Sequence, residues 1–151
     1  MSEFNVNFGC GGNIIPGWDN HDIDVDITKP LPYADGTVDK ILAEHVMEHV
    51  QCSQALNFLC ECRRILKHGG VVRICCPIVG PHLAKWLAID LTVNHEHKIL
   101  LDEHLMRTLF WMAGFDLEKT VRTDRKPIDG HWRAIGYERD DAETCRMEAT
   151  K

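Results

Sequence analysis

Apolar and polar residues alternate along the first stretch of the chain, which then runs into glycines. Residues 4–8 (FNVNF) have the period of two that is typical of a strand. Gly9, Gly11 and Gly12 follow within four positions. Because glycine has no Cβ, a ligand can approach the backbone closely. A strand that ends in such a loop is typical of a nucleotide-like ligand at the carboxyl edge of a sheet.

The remaining pattern predicts an alternation of strands and helices. Predicted strands cover 18–23, 38–43, 71–76, 115–121 and 131–138, and predicted helices cover 54–67, 81–91 and 103–113. Ser53 and Asp102 are the expected N-caps of the first and last helices. This order favours an open α/β sheet that is mostly parallel, with an antiparallel hairpin at its edge. We expect one domain over residues 1–139 and a charged, frayed tail over 140–151.

The segment between the glycine loop and the second strand is unusually short. A crossover between parallel strands normally takes a dozen or more residues, and residues 13–17 leave no room for a full helix. The acidic run that follows, residues 22–27 (DIDVDI), alternates carboxylates with apolar side chains. As a strand it would present its carboxylates on one side.

Composition excludes several classes of function. The formal net charge of −6 argues against a broad nucleic-acid surface, which needs a basic face. Seven cysteines without framework or C-x-x-C spacing indicate a reducing, cytoplasmic setting. No apolar run reaches the length of a membrane span, and the first residues have no secretory pattern.

Four segments together resemble the class I S-adenosylmethionine-dependent methyltransferases, in particular the small type found in ubiquinone and menaquinone biosynthesis. They are residues 7–12 (NFGCGG), 26–39 (DITKPLPYADGTVD), 44–49 (EHVMEH) and 63–70 (RRILKHGG). The resemblance implies a Rossmann-like fold, S-adenosyl-L-methionine as cofactor, and methyl transfer to an acceptor. The first crossover helix of that family is short or absent here.

The resemblance also implies roles for individual residues. Gly9, Cys10 and Gly11 would pass under the methionine part of the cofactor, and Asp22 would accept hydrogen bonds from both ribose hydroxyls, with Asp24 as a rival. Asp26 would lie near the adenine amino group and Ile27 on its ring. The complete implied set is Phe8, Gly9, Cys10, Gly11, Gly12, Asp22, Ile23, Asp26, Ile27, Ala43, Glu44 and His45.

Two histidines are candidates for a catalytic base. His45 follows the strand nearest the glycine loop, and His95 lies in a polar segment farther along. A neutral imidazole suits the removal of a proton from a hydroxyl or an amine. Proximity alone, without a base, is an equal alternative.

Other interpretations of the same residues are weaker. Residues 45–49 match H-x-x-E-H, a zinc-hydrolase pattern, but no third ligand is evident from the sequence, and we expect no metal. The loop G-C-G-G differs from the dinucleotide fingerprint G-x-G-x-x-G. The expected acceptor is a small molecule, with no nucleic-acid or membrane partner. A non-catalytic cofactor binder, or a subunit of a homo-oligomer or larger enzyme, is the second hypothesis.

Overall fold

The computed structural model describes residues 3–77, 97–122 and 144–151. Over these residues the strands are β1 (Asn5–Phe8), β2 (Asp19–His21), β3 (Val38–Glu44), β4 (Leu66–Pro77), β5 (Thr120–Arg122) and β6 (Thr144–Thr150). The helices are α1 (Cys52–Ile65) and α2 (Glu103–Met112), with 3-10 helices at Met47–His49 and Leu117–Lys119. All six strands form one sheet in the order β2-β1-β3-β4-β6-β5.

The sheet is parallel on one side and antiparallel on the other. β2, β1, β3 and β4 run parallel, whereas β6 is antiparallel to both β4 and β5. This arrangement confirms the predicted fold class, a minimal Rossmann-like sheet with an antiparallel edge. Residues 9–18 connect β1 to β2 without a helix, as expected from the short crossover.

One face of the sheet is apolar and is covered by both helices. Alternate residues of the central strands, including Ile41, Ile74 and Met147, are fully buried there. Phe58 of α1 and Phe110 of α2 belong to the same cluster. Burying such side chains contributes about 1.5–3 kcal/mol each, so this layer is the main source of stability.

The other face carries buried polar side chains. Asn7, Lys40, Arg73 and Glu148 are each less than a tenth exposed. Arg73 and Glu148 lie directly opposite each other on β4 and β6 and form an ion pair. A small apolar cluster of Ile15 and Leu42, with Trp18 and Val71 packed against it, is separate from the main core.

The acidic run does not form the predicted strand. β2 ends at His21, and residues 22–25 turn away from the sheet. Ile23 is 96% exposed, so the apolar half of the alternation does not face a core. The Asp24 and Asp26 carboxylates accept hydrogen bonds from the backbone N–H groups of Asp22 and Thr28, and this local turn chemistry outweighs the alternation.

The end of the chain also differs from the prediction. Residues 144–150 form β6, inserted between β4 and β5, instead of a frayed tail. Cys145, Met147 and Ala149 are completely buried against the apolar face. Lys151 continues the pairing, since its N–H donates to the Gly70 carbonyl.

Smaller differences concern the ends of elements. α1 begins at Cys52, where the Gln54 side chain accepts a hydrogen bond from the Gln51 N–H, so Ser53 is not the cap. α1 ends at Ile65, and β4 already includes Gly69 and Gly70. The predicted strand 115–121 is instead a 3-10 helix followed by β5. Asp102 caps α2 as predicted, accepting from the Leu105 N–H.

The predicted helix over 81–91 and strand over 131–138 lie outside the described residues. Among the helices that are described, none combines the length and the apolar character needed to cross a membrane.

Candidate cofactor site

The glycine loop leaves β1 in a conformation that requires glycine at its first position. Gly9 has a φ of +66°, and a Cβ placed there would lie 2.1 Å from Val46 Cγ2. The loop is therefore held tightly against the segment that follows β3. Next along the chain, the Cys10 N–H donates to the His21 carbonyl, which ties the loop to the end of β2.

A cavity of about 420 Å³ opens at the carboxyl ends of β1, β3 and β4. Its lining residues are Asn7, Gly9, Cys10, Gly11, Gly12, Asn13, Glu44, His45, Cys75 and Arg146. The volume is in the range of sites that hold a small ligand or cofactor. The position agrees with the general location of ligand sites in open α/β sheets, outside the carboxyl ends of the strands.

The loop backbone borders this cavity without obstruction. A Cβ at Gly11 or Gly12 would meet no atom within 4 Å. Both residues therefore leave a space that a side chain would partly fill, as expected where a ligand lies against the backbone. On this observation the residues present fit a cofactor such as S-adenosylmethionine.

The three carboxylates of the acidic run have different surroundings. Asp24 is engaged by His21 Nδ1 at 2.6 Å and by the Asp22 N–H at 2.8 Å. Asp26 accepts hydrogen bonds from the N–H and the hydroxyl of Thr28. No described residue donates a hydrogen bond to the carboxylate of Asp22, which follows the last residue of β2 directly.

Asp22 lies close to the glycine loop. Burial raises the pKa of the Cys10 thiol, and the charges of Asp22 and Asp24 raise it further. The charge of Asp22 affects the Cys10 thiol, so Asp22 lies near the point where the glycine loop is hydrogen-bonded to the end of β2. No described residue donates to the Asp22 carboxylate, and a carboxylate can accept two hydrogen bonds from a diol.

His45 joins the cavity to a buried carboxylate. Its backbone is in the left-handed region with a φ of +55°, unusual for a residue other than glycine. Its N–H donates to the Cys75 carbonyl, and its Nδ1 lies 3.2 Å from Oε1 of Glu48. Strained backbone of this kind persists where the surrounding structure fixes it, often at functional sites.

The structure brings together only part of the predicted set. Gly9, Cys10, Gly11, Gly12, Glu44 and His45 line the cavity. Phe8, Ala43 and Ile27 are buried in the core, and Asp22, Ile23 and Asp26 are exposed beside the loop without lining the cavity. His95 lies outside the described residues.

Four lining residues were not predicted: Asn7, Asn13, Cys75 and Arg146. Asn7 could have been found, because in β1 it points to the face opposite Phe8 and Val6. Its side-chain amide donates to the Asn13 carbonyl and to Asn20 Oδ1, which shapes the loop. Arg146 could not have been found, because its position depends on the insertion of β6 beside β4.

Comparison with known proteins bears on the family and the fold. Residues 7–74 match the family described as "Methyltransferase domain". No curated protein matches the sequence significantly.

Several solved structures have the same fold at low sequence identity. An S-adenosylmethionine-dependent methyltransferase from Thermotoga maritima, described as a possible histamine N-methyltransferase, has a TM-score of 0.70 and 14% identity. The superposition covers 100% of this chain and 83% of that one. PigF with S-adenosylhomocysteine has a TM-score of 0.65 and 14% identity. The superposition covers 99% of this chain and 50% of the PigF chain.

A third structure is a complex from Haloferax volcanii between the Trm112 methyltransferase activator and a methyltransferase. It has a TM-score of 0.64 and 15% identity, covering 98% of this chain and 82% of that chain. Residues 7–74 of the 151 thus match the methyltransferase-domain family, and the chain has the fold of the class I S-adenosylmethionine-dependent methyltransferases.

Proposed function

We propose that the protein transfers a methyl group from S-adenosyl-L-methionine to a small-molecule acceptor. The observation that carries this proposal is the cavity between the glycine loop and His45. Asp22 follows β2 directly, and no described residue donates a hydrogen bond to its carboxylate. When bound, the cofactor supplies an activated methyl carbon. The protein's part is to hold the two reactants in line and to accept a proton.

In this proposal the loop and Asp22 divide the work of binding. Gly9 to Gly12 lie beneath the methionyl part, and the backbone of Gly11 and Gly12 borders open space there. Asp22 accepts from the ribose hydroxyls and is favoured over Asp24, whose oxygens are already used by His21 and the Asp22 N–H. The adenine roles of Asp26 and Ile27 remain predictions, since neither residue lines the cavity.

His45 is the proposed base. It lines the cavity, and the Glu48 carboxylate, whose Oε1 lies 3.2 Å from Nδ1, would stabilise the protonated ring by its charge. His95 remains a second candidate. Arg146 adds positive charge to the cavity wall, which favours an anionic group there, such as the cofactor's carboxylate.

Calorimetry with S-adenosylhomocysteine tests the binding part of the proposal. We expect Asp22→Asn to weaken binding by roughly tenfold or more, because loss of a charge-assisted pair of hydrogen bonds costs about 1.5–3 kcal/mol. Asp35→Asn, which changes an exposed aspartate with no proposed role in cofactor binding, is the matched control and should bind like the wild type. Equal affinities for all three proteins would contradict the assignment of Asp22.

A second candidate is a cofactor binder or partner subunit without catalytic activity. It is favoured by the connection of residues 9–18, which has no helix to support the loop. The Haloferax complex shows that a protein of this fold can work with an activator. Formation of S-adenosylhomocysteine across a panel of small acceptors would support the enzyme, and binding without turnover would support the alternative. His45→Ala should then lower turnover while leaving binding intact.

The expected location in a reducing, cytoplasmic compartment is also part of this proposal. All seven cysteines are thiols in the structure, and five of them are buried. Buried thiols without partners of disulfide geometry behave as small apolar side chains.

A further inference from the structure

A buried carboxylate lies behind the proposed base. Glu48, in the 3-10 helix Met47–His49, is 2% exposed. Among the described residues, His45 Nδ1 approaches Oε1 at 3.2 Å without hydrogen-bond geometry, and the Cys76 thiol interacts with the carboxylate, but no described cation is hydrogen-bonded to it. A buried charge of this kind is costly unless it is paired or coordinates a metal. The carboxylate therefore needs a positive partner.

Two imidazoles stand next to this carboxylate. The ring centroids of His49 and His97 are 4.9 Å apart, and both side chains are half-buried. One ligand atom from each histidine and one oxygen of Glu48 all lie within 4.8 Å of one another. A tetrahedral zinc with bonds of about 2.1 Å separates its ligand atoms by about 3.4 Å. Binding of an ion would therefore require the three atoms to move closer together.

The backbone holds the two segments in register. The N–H groups of Lys98 and Ile99 donate to the Glu48 carbonyl at 2.7 and 3.4 Å. The position of His97 opposite Glu48 and His49 is thus fixed by main-chain hydrogen bonds. The cluster joins residues almost fifty positions apart in the sequence, which is why the sequence did not reveal a third ligand for the H-x-x-E-H pattern.

We propose that Glu48, His49 and His97 bind one transition-metal ion of the Zn²⁺ class. Two imidazoles and one carboxylate form a donor set that zinc takes in proteins and that Mg²⁺ or Ca²⁺ does not favour. Three protein ligands leave a fourth position for water or another small ligand. The proposed site differs from the H-x-x-E-H zinc pattern of residues 45–49 in two ways. Glu48 is a metal ligand and not the group that activates water, and His97 takes the place of His45 as the second histidine ligand.

The site is separate from the cofactor cavity. None of its three residues lines that cavity, and His45 stands between the two. The ion would fasten the segment around His97 to the 3-10 helix and hold Glu48 beside His45. The proposal does not depend on methyl transfer, because metal binding can be measured without cofactor or acceptor.

Cobalt is the most direct probe, because tetrahedral Co²⁺ absorbs visible light strongly. The protein is prepared without a histidine tag, with the exposed thiols removed by Cys52→Ser and Cys60→Ser, since these could bind the ion on their own. We expect one Co²⁺ per chain, displaced by Zn²⁺, and a higher melting temperature with either metal. Absence of stoichiometric binding would overturn the proposal.

Substitutions in the same background locate the ion. Glu48→Gln, His49→Gln and His97→Gln should each lower Co²⁺ affinity at least tenfold, and His97→Asp should recover part of it by restoring an oxygen ligand. His104→Gln, which changes an exposed histidine of α2, is the matched control and should bind as before. Binding that all three Gln variants retain would place the ion elsewhere and refute the site.

Circular dichroism of each variant separates loss of a ligand from loss of the fold. If His49→Gln does not fold, His97→Gln and His97→Asp still decide the question, because His97 lies outside the helices and strands. Calorimetry with S-adenosylhomocysteine on the metal-free protein distinguishes the two proposals. Failure of the metal site leaves the Asp22-dependent binding of cofactor unchanged.

Discussion

Gly9 shows how one residue serves both the fold and the proposed site. Its positive φ and its contact with Val46 mean that any side chain would be strained and would collide. The two other glycines of the loop have no such neighbour, and their space faces the cavity. Similar residues in one short loop are therefore required for different reasons.

Alanine substitution separates these reasons. Gly9→Ala should lower the free energy of unfolding by about 1–3 kcal/mol, because the backbone and Val46 must both shift. Gly12→Ala, with no neighbour within 4 Å and an ordinary φ, should leave stability nearly unchanged. Urea denaturation measures both. Val46→Ala combined with Gly9→Ala should recover part of the loss, and equal stabilities of the two single variants would contradict this account.

His21 lies in a cluster at the end of β2. Its Nδ1 contacts Asp24 at 2.6 Å, and its Nε2 lies 2.6 Å from the Tyr33 hydroxyl and 3.3 Å from Asp19. Burial lowers the pKa of His21, but its bonds and charge interactions with Asp24 and Asp19 outweigh burial and raise it. The same surroundings raise the pKa of Tyr33, where burial is the main cause.

The raised pKa makes stability depend on pH. A histidine whose pKa is higher in the folded state stabilises the fold fully below its unfolded value, near 6.5, and loses this contribution as pH rises through the folded value. The urea midpoint of the wild type should therefore fall as pH rises above about 6.5, by more than that of His21→Gln. Parallel pH profiles for the two proteins would show that His21 is not the group responsible.

β6 is the element that the sequence analysis missed, and the reason is physical. Its apolar positions, Cys145, Met147 and Ala149, do alternate with polar ones, but two of the alternate residues are the charged Arg146 and Glu148. Charge at these positions indicates solvent unless a partner is known. The partner of Glu148 is Arg73, more than seventy residues away, so no local pattern could identify it.

By contrast, β1, β3 and α2 were predictable from local signals. Their apolar periods are clear, and Asp102 caps α2 as its position suggests. The glycine loop and His45 were also found, because a loop directly after a buried strand lies at the carboxyl edge of a parallel sheet. Cys75 and Arg146 could not be predicted as cavity residues, because their positions depend on the order of the strands in the sheet. Local hydrophobic periodicity carries no information about that order.

The contribution of β6 to the core can be tested by comparing a substitution at a buried methionine of β6 with the same substitution at an exposed methionine. Met147→Ala should lower the free energy of unfolding by about 2–5 kcal/mol, because Met147 is fully buried in the core. Met112→Ala makes the same chemical change at a side chain that is 55% exposed, and should cost no more than about 0.5 kcal/mol. Chemical denaturation compares them. Indistinguishable stabilities would mean that residues 144–150 do not belong to the core.

At the scale of the whole molecule, the sheet has a parallel part and an antiparallel part. The parallel part carries most of the proposed cofactor site, and the antiparallel part contributes Arg146 to its lining. The two parts meet at β4 and β6, where Cys75 lies opposite Arg146. Both residues line the cavity. The site is thus completed only when the two parts of the sheet are joined.

The strand order also limits the sequence in which the fold can form and open. β5 pairs with β6 and with no other described strand, so it has no place in the sheet until β6 is bound to β4. That contact joins residues about seventy-five positions apart, a loop closure that is slow compared with local pairing. In thermal fluctuations the order reverses: whenever β6 separates from β4, β5 leaves the sheet with it, so this edge of the sheet opens as a unit of at least two strands.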